Sequence, residues 1–165
     1  MPIPQEALDL ENRSIGINGE PTLAAAYEIL KNQWNNGERD RELGLHLMFL
    51  AWYGTSEPEY ITGFSNSWEE RRQEMLPLFA EVHTYFEPEI YKDVEMLYVV
   101  GLIAHMDWFI LDDDIETAKI WEERSKKYHE QYRALAPNGI DPSIFLNRGA
   151  YGDYFAGQAK VEGGY

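Results

Sequence analysis

The chain has 165 residues and no cysteine, and its 29 acidic residues outweigh 14 basic ones to give a formal net charge of −15. Without cysteine there is no disulfide framework, no thiol nucleophile and no thiolate-ligated metal. A field of this sign repels phosphate backbones and anionic lipid surfaces, so nucleic acid and membrane are not expected partners, whereas a basic protein is attracted.

Residues 1–20 show no sustained period and close on the turn residues of INGEP, which predicts an irregular N-terminal segment. Prolines and charges stand where an export signal would carry an apolar core, so a cytoplasmic protein is expected. From Pro21 the pattern turns helical. Leu23, Ala26, Tyr27, Leu30 and Trp34 recur at spacings of three and four, and Asn35–Gly37 stops the helix. A second helix is predicted over Asp40–Tyr53, burying Leu43, His46, Leu47, Leu50 and Ala51, with Gly54 as its stop. The short connection predicts antiparallel packing of the pair. A link follows, with room for one helical turn after Ser56.

Ser67 and Glu70 form a capping-box pattern opening a third helix with Trp68, Met75, Phe79, Val82 and Phe86, in which Pro77 predicts a kink or break. A fourth helix is predicted from Glu87-Pro88 to about Leu111. Its longest uncharged apolar run, Met96 to Ala104, is too short for a bilayer core of about 30 Å. A fifth helix is predicted over Ile115–Leu135, with Ala118, Trp121, Ser125, Tyr128 and Tyr132 on one face, and APNG ends it. Alternating strand patterns are essentially absent. The expected fold is therefore all-α, with about five main helices in antiparallel hairpins over residues 21–136. Residues 137–165 are glycine- and aromatic-rich, expected to pack on the helices as a coil or short helix to about Phe155 and to be loose beyond it.

The stretch GLIAHMDWFILDDDIETAKIW concentrates the polar chemistry of the chain. On one continuous helix, Tyr91, Val94, Tyr98, Leu102, His105, Phe109 and Asp112 would share a face. His105 is the candidate proton-exchanging group, with Asp107 or Asp112 tuning it. His105 and Asp107 point about 160° apart on such a helix, at 100° per residue, which excludes a bonded dyad. Core packing for the histidine and helix capping by Asp113 or Asp114 are the alternative reading of the same residues. No Glu-x-x-His pair, calcium loop, phosphate-binding glycine loop or nucleophile elbow is present, so no metal, no cofactor and no enzymatic activity are expected.

AAYEILKNQWNNGERDRELGLHLMFLAW and LIAHMDWFILDDDIETAKIWEERSKKY each pair two helices of spaced large residues across a tight polar turn. Both resemble the tetratricopeptide-repeat pattern, most closely at DDDIETAKIWEERSKKY with Pro137 shortly after. Lys31 and Met106 depart from the small residue which that family carries in its first helix. The resemblance implies a non-catalytic scaffold binding a peptide or protein in a groove lined by Tyr27, Trp34, Tyr98 and His105. Asp112, and Tyr151 and Tyr154 of the aromatic tail, complete the candidate set, and the acidic surroundings favour a basic ligand. Two alternatives stand beside it: an acidic immunity-type inhibitor of a basic toxin, and a small-ligand binder or enzyme using a pocket around His105.

Overall fold

The computed structural model describes residues 3–161. Among them the chain is all-helical, with eight α-helices: α1 (Gln5–Arg13), α2 (Leu23–Asn35), α3 (Arg41–Ser56), α4 (Glu59–Thr62), α5 (Trp68–Ile90), α6 (Val94–Asp107), α7 (Ile115–Leu135) and α8 (Gly149–Ala159). Short 3-10 turns at Trp108–Ile110 and Pro142–Phe145 complete the order. No described helix is long and apolar enough to cross a membrane. The chain divides into two compact units, Met1–Phe86 with Phe145–Tyr154, and Glu87–Ile144 with Phe155–Tyr165.

In the first unit α1 packs on α2 and α2 on α3. Tyr27, Leu30 and Trp34 are buried on α2, and α5 meets that helix with carboxylates: the Tyr27 hydroxyl donates to Glu74 at 3.2 Å and the Trp34 indole to Glu81 at 2.8 Å. Beside these carboxylates, burial pushes the Tyr27 phenol far up, with Glu74 adding to the effect, so it stays neutral. Two glycines let α3 sit deep. A methyl group on Gly44 would stand 2.3 Å from the Phe86 ring, and one on Gly54 2.7 Å from Phe64. Gly54 therefore serves close packing rather than helix termination, and α3 continues to Ser56.

In the second unit α6 is buried without a break from Glu95 to Ala104 and packs along α7. The buried face of α7 comprises Ala118, Trp121, Ser125, Tyr128 and Tyr132. Tyr98 lies 5.4 Å from Tyr132 between ring centroids, and the Tyr132 hydroxyl accepts from the Ile140 backbone at 2.7 Å.

Several boundaries differ from the sequence reading. The N-terminal segment holds α1, an amphipathic helix of nine residues whose Ala7, Leu10 and Glu11 are buried. The glycine-rich tail holds α8, which runs past Phe155 to Ala159; Gly163, Gly164 and Tyr165 lie outside the described residues. The Ser67–Glu70 capping box forms reciprocally, at 3.2 and 3.1 Å. α5 then passes through both Pro77 and Pro88 as helix, because burial of Met75, Leu76, Phe79, Val82 and Phe86 outweighs the lost backbone bonds. The break comes later, at Asp93, whose carboxylate caps α6 by accepting from Met96 N at 3.0 Å. α7 spans the expected residues, capped by Asp114.

Candidate functional site

The first unit encloses an ionic chain. Glu42 and His46 stand one turn apart on α3, so both reach the same side, and His46 Nε2 meets Glu42 Oε1 at 3.0 Å. The opposite ring nitrogen, Nδ1, meets Glu11 Oε2 of α1 at 2.7 Å. The segment entering α8 supplies the remainder. Arg148 forks onto Glu42 at 2.8 Å from Nε and 2.5 Å from its terminal nitrogen, and Tyr151 N donates to Glu11 Oε1 at 3.1 Å. Gly149 takes φ +67°, and a Cβ there would lie 2.9 Å from that of Glu11, so the approach of α8 to the carboxylate depends on glycine. The first turn of α8 thus points backbone N–H at a buried anion, where the helix dipole also favours it.

Burial by itself would drive the His46 imidazole to lose its proton. The field and hydrogen bond of Glu11, with those of Glu42, outweigh it and push the ring up to about 9. Burial likewise opposes charge on Glu42, but His46 and Arg148 hold its carboxyl down at about 2. At neutral pH, His46 is a cation between two carboxylates, fully enclosed, with the Tyr151 ring 4.6 Å from its own. An imidazolium with both nitrogens engaged has no lone pair for a general base. The chain ties α1, α3 and α8 together; it does not present chemistry to a ligand.

This unit has an open cavity of about 320 Å³ between α3 and α8, bordered by the loop after α1 and by α4. Phe49 and Tyr53 of α3 and Tyr154 of α8 supply aromatic walls, Leu23 and Ile61 aliphatic ones, and Asp153 a carboxylate. Tyr53 and Tyr154 meet edge-on at 5.9 Å and Phe49 lies 5.7 Å from Tyr154. None of the lining residues is basic. Burial, with Glu57 and Asp153 nearby, pushes the Tyr53 phenol up, so its hydroxyl remains a neutral donor and acceptor.

The second unit has a pocket of about 440 Å³ lined by His105, Trp108, Glu122, Ser125, Lys126 and His129. His105 lies exposed near the end of α6. His129 is pushed below the ordinary imidazole range by burial, with Arg133 and His105 adding to it. No group of three or more metal-ligating side chains gathers among the described residues.

Tyr27, Trp34, Tyr98 and Tyr151 are each at most 1 % exposed, packed into the core of their own units. Their rings fill space that a groove would leave open. Tyr154 borders the aromatic cavity, and His105 the second pocket. Asp112 sits in the turn before α7, accepting from Asp114 N at 2.9 Å. The single face drawn from Tyr91 to Asp112 is cut at both ends, by the break at Asp93 and by the 3-10 turn after Asp107. The sequence reading passed over Glu11, Glu42 and Arg148 and named His46 only as core. The spacing Glu42-x-x-x-His46 was its one local signal, since Glu11 and Arg148 are distant in sequence. Phe49, Tyr53 and Asp153 were likewise not singled out. No protein-family model matches the chain, and no curated protein or solved structure matches it.

Proposed function

We propose that the protein is a non-catalytic helical module that binds a basic protein or peptide. One observation carries this reading: in a chain of net charge −15, the aromatic cavity of the first unit is lined by a carboxylate and by no basic residue. Such a surface attracts a cationic partner over a Debye length, about 8 Å at physiological salt, and gives its apolar and planar groups rings to rest on. The closed state of His46 supports a binding role over a catalytic one, because this buried imidazole is occupied on both of its ring nitrogens. In this reading α2 with α3 and α6 with α7 are helical hairpins akin to tetratricopeptide units. The scaffold is used through the cavity between α3 and α8 rather than through the buried Tyr27 and Trp34. A toxin neutralised by an immunity-type inhibitor would be one such basic partner.

Native mass spectrometry of the protein isolated at low salt from its own host tests this. The expected result is a stoichiometric complex with a basic protein that dissociates progressively as salt rises. A retained small molecule or metal, or a complex indifferent to salt, contradicts it.

A further inference from the structure

We propose that the cavity between α3 and α8 is a receptor for one arginine side chain of the partner, whose guanidinium pairs with Asp153 and stacks against Tyr53 and Tyr154. The inference rests on the binding role proposed above and names its anchoring contact.

This protein lays several of its own arginines over aromatic rings. Arg39 lies 3.8 Å over the Trp34 ring, Arg71 4.3 Å over Trp68 and Arg124 4.5 Å over Trp121. Arg148 combines two contacts: it forks onto the Glu42 carboxylate while its guanidinium stands 5.1 Å over the Tyr151 ring. A carboxylate and a tyrosine face thus hold a guanidinium together in this fold, with the Phe145 ring 6.0 Å away.

The cavity repeats those components on the next turn of α8. Asp153 and Tyr154 follow Tyr151 in sequence, and Tyr53 meets Tyr154 edge-on from α3, all three bordering the open cavity. At about 320 Å³ it lies at the small end of ligand pockets, suited to a single long side chain rather than to a folded element. Leu23 and Ile61 would pack the methylene stem. Arginine fits better than lysine because its planar fork can address a carboxylate with two donors and lay a flat face on a ring at once, whereas an ammonium is a compact, strongly hydrated point charge. The absence of any base from the lining leaves the carboxylate to the incoming cation.

The test is a set of binding titrations with a labelled lysine-rich peptide carrying one central arginine, and with the same peptide carrying citrulline, which keeps the shape and removes the charge. The arginine peptide is expected to bind the full-length protein about tenfold more tightly than the citrulline peptide. Asp153→Asn, at an exposed position where the fold should be unaffected, is expected to erase most of that ratio. Glu130→Gln, which removes the same charge from an exposed position on α7, should leave it intact. If the ratio is unchanged in Asp153→Asn, the arginine receptor is refuted while the reading of a basic partner stands. If neither peptide binds at low salt, that reading falls and the receptor with it.

Discussion

The two units solve the same problem, burying polar side chains in a helical core, by different chemistry. In the first, α1, α3 and α8 are joined by formal charges: Glu11, His46, Glu42 and Arg148 form one chain of ion pairs in which His46 and Glu11 have no side-chain exposure. In the second, α6 and α7 are joined by neutral rings, with Tyr98 and Tyr128 buried and the Tyr132 hydroxyl satisfied by one backbone amide. The difference concerns what each core tolerates. A charge in a low-dielectric interior is held only while every partner is present, whereas a phenol that loses one hydrogen bond remains a hydrophobic filler. Histidines follow the same division: His46 is sealed and doubly paired, and His105 is exposed on a pocket rim.

The largest effect should come from breaking the ionic chain. Glu11→Ala removes the carboxylate facing both His46 Nδ1 and Tyr151 N and strands an imidazolium in the core. A loss of about 3–5 kcal/mol in chemical unfolding is expected. A loss below about 1 kcal/mol would mean that His46 is neutral in the folded protein. The equivalent lesion in the other unit, Tyr132→Phe, removes the acceptor for Ile140 N and should cost about 1 kcal/mol in the same assay. Smallest of the three is His105→Gln. At an exposed position it should move stability by no more than about 0.5 kcal/mol. A large loss would place His105 among the structural histidines and erase the contrast.

Helix patterning carried most of the architecture. α7 announces itself through its aromatic face and its Asp114 cap, and the Ser67–Glu70 box marks the start of α5, because these signals are local to one or two turns. The failures share a cause: tertiary packing overrides a local rule. Pro77 and Pro88 do not end α5 because its apolar face is clamped, and α1 and α8 are too short or too glycine-rich to read as helices until their contacts are known. The charged core was illegible for the same reason. Glu11, His46 and Arg148 are ordinary surface-type residues whose meaning lies in a meeting of three distant segments. Aromatic residues misled in the opposite sense, since Tyr27, Trp34 and Tyr98 have the helical spacing shared by a groove and a core, and the structure puts all three in the core.

The ionic chain also fixes how the first unit should respond to pH. His46 has a folded-state pKa near 9, above the ordinary 6.5, so its contribution is complete below about 6.5 and fades as pH rises through 9. Glu42 lies near 2, below the ordinary 4.5, so its contribution is complete above about 4.5 and is lost as pH falls through 2. The most direct measurement is a nitrogen-15 NMR titration of the four imidazoles, assigned by single histidine substitutions. His46 is expected to remain cationic through neutrality and release its proton near pH 9, while His129 titrates below the ordinary range. A His46 ring that is already neutral at pH 7 would contradict the account of an ionic core in the first unit.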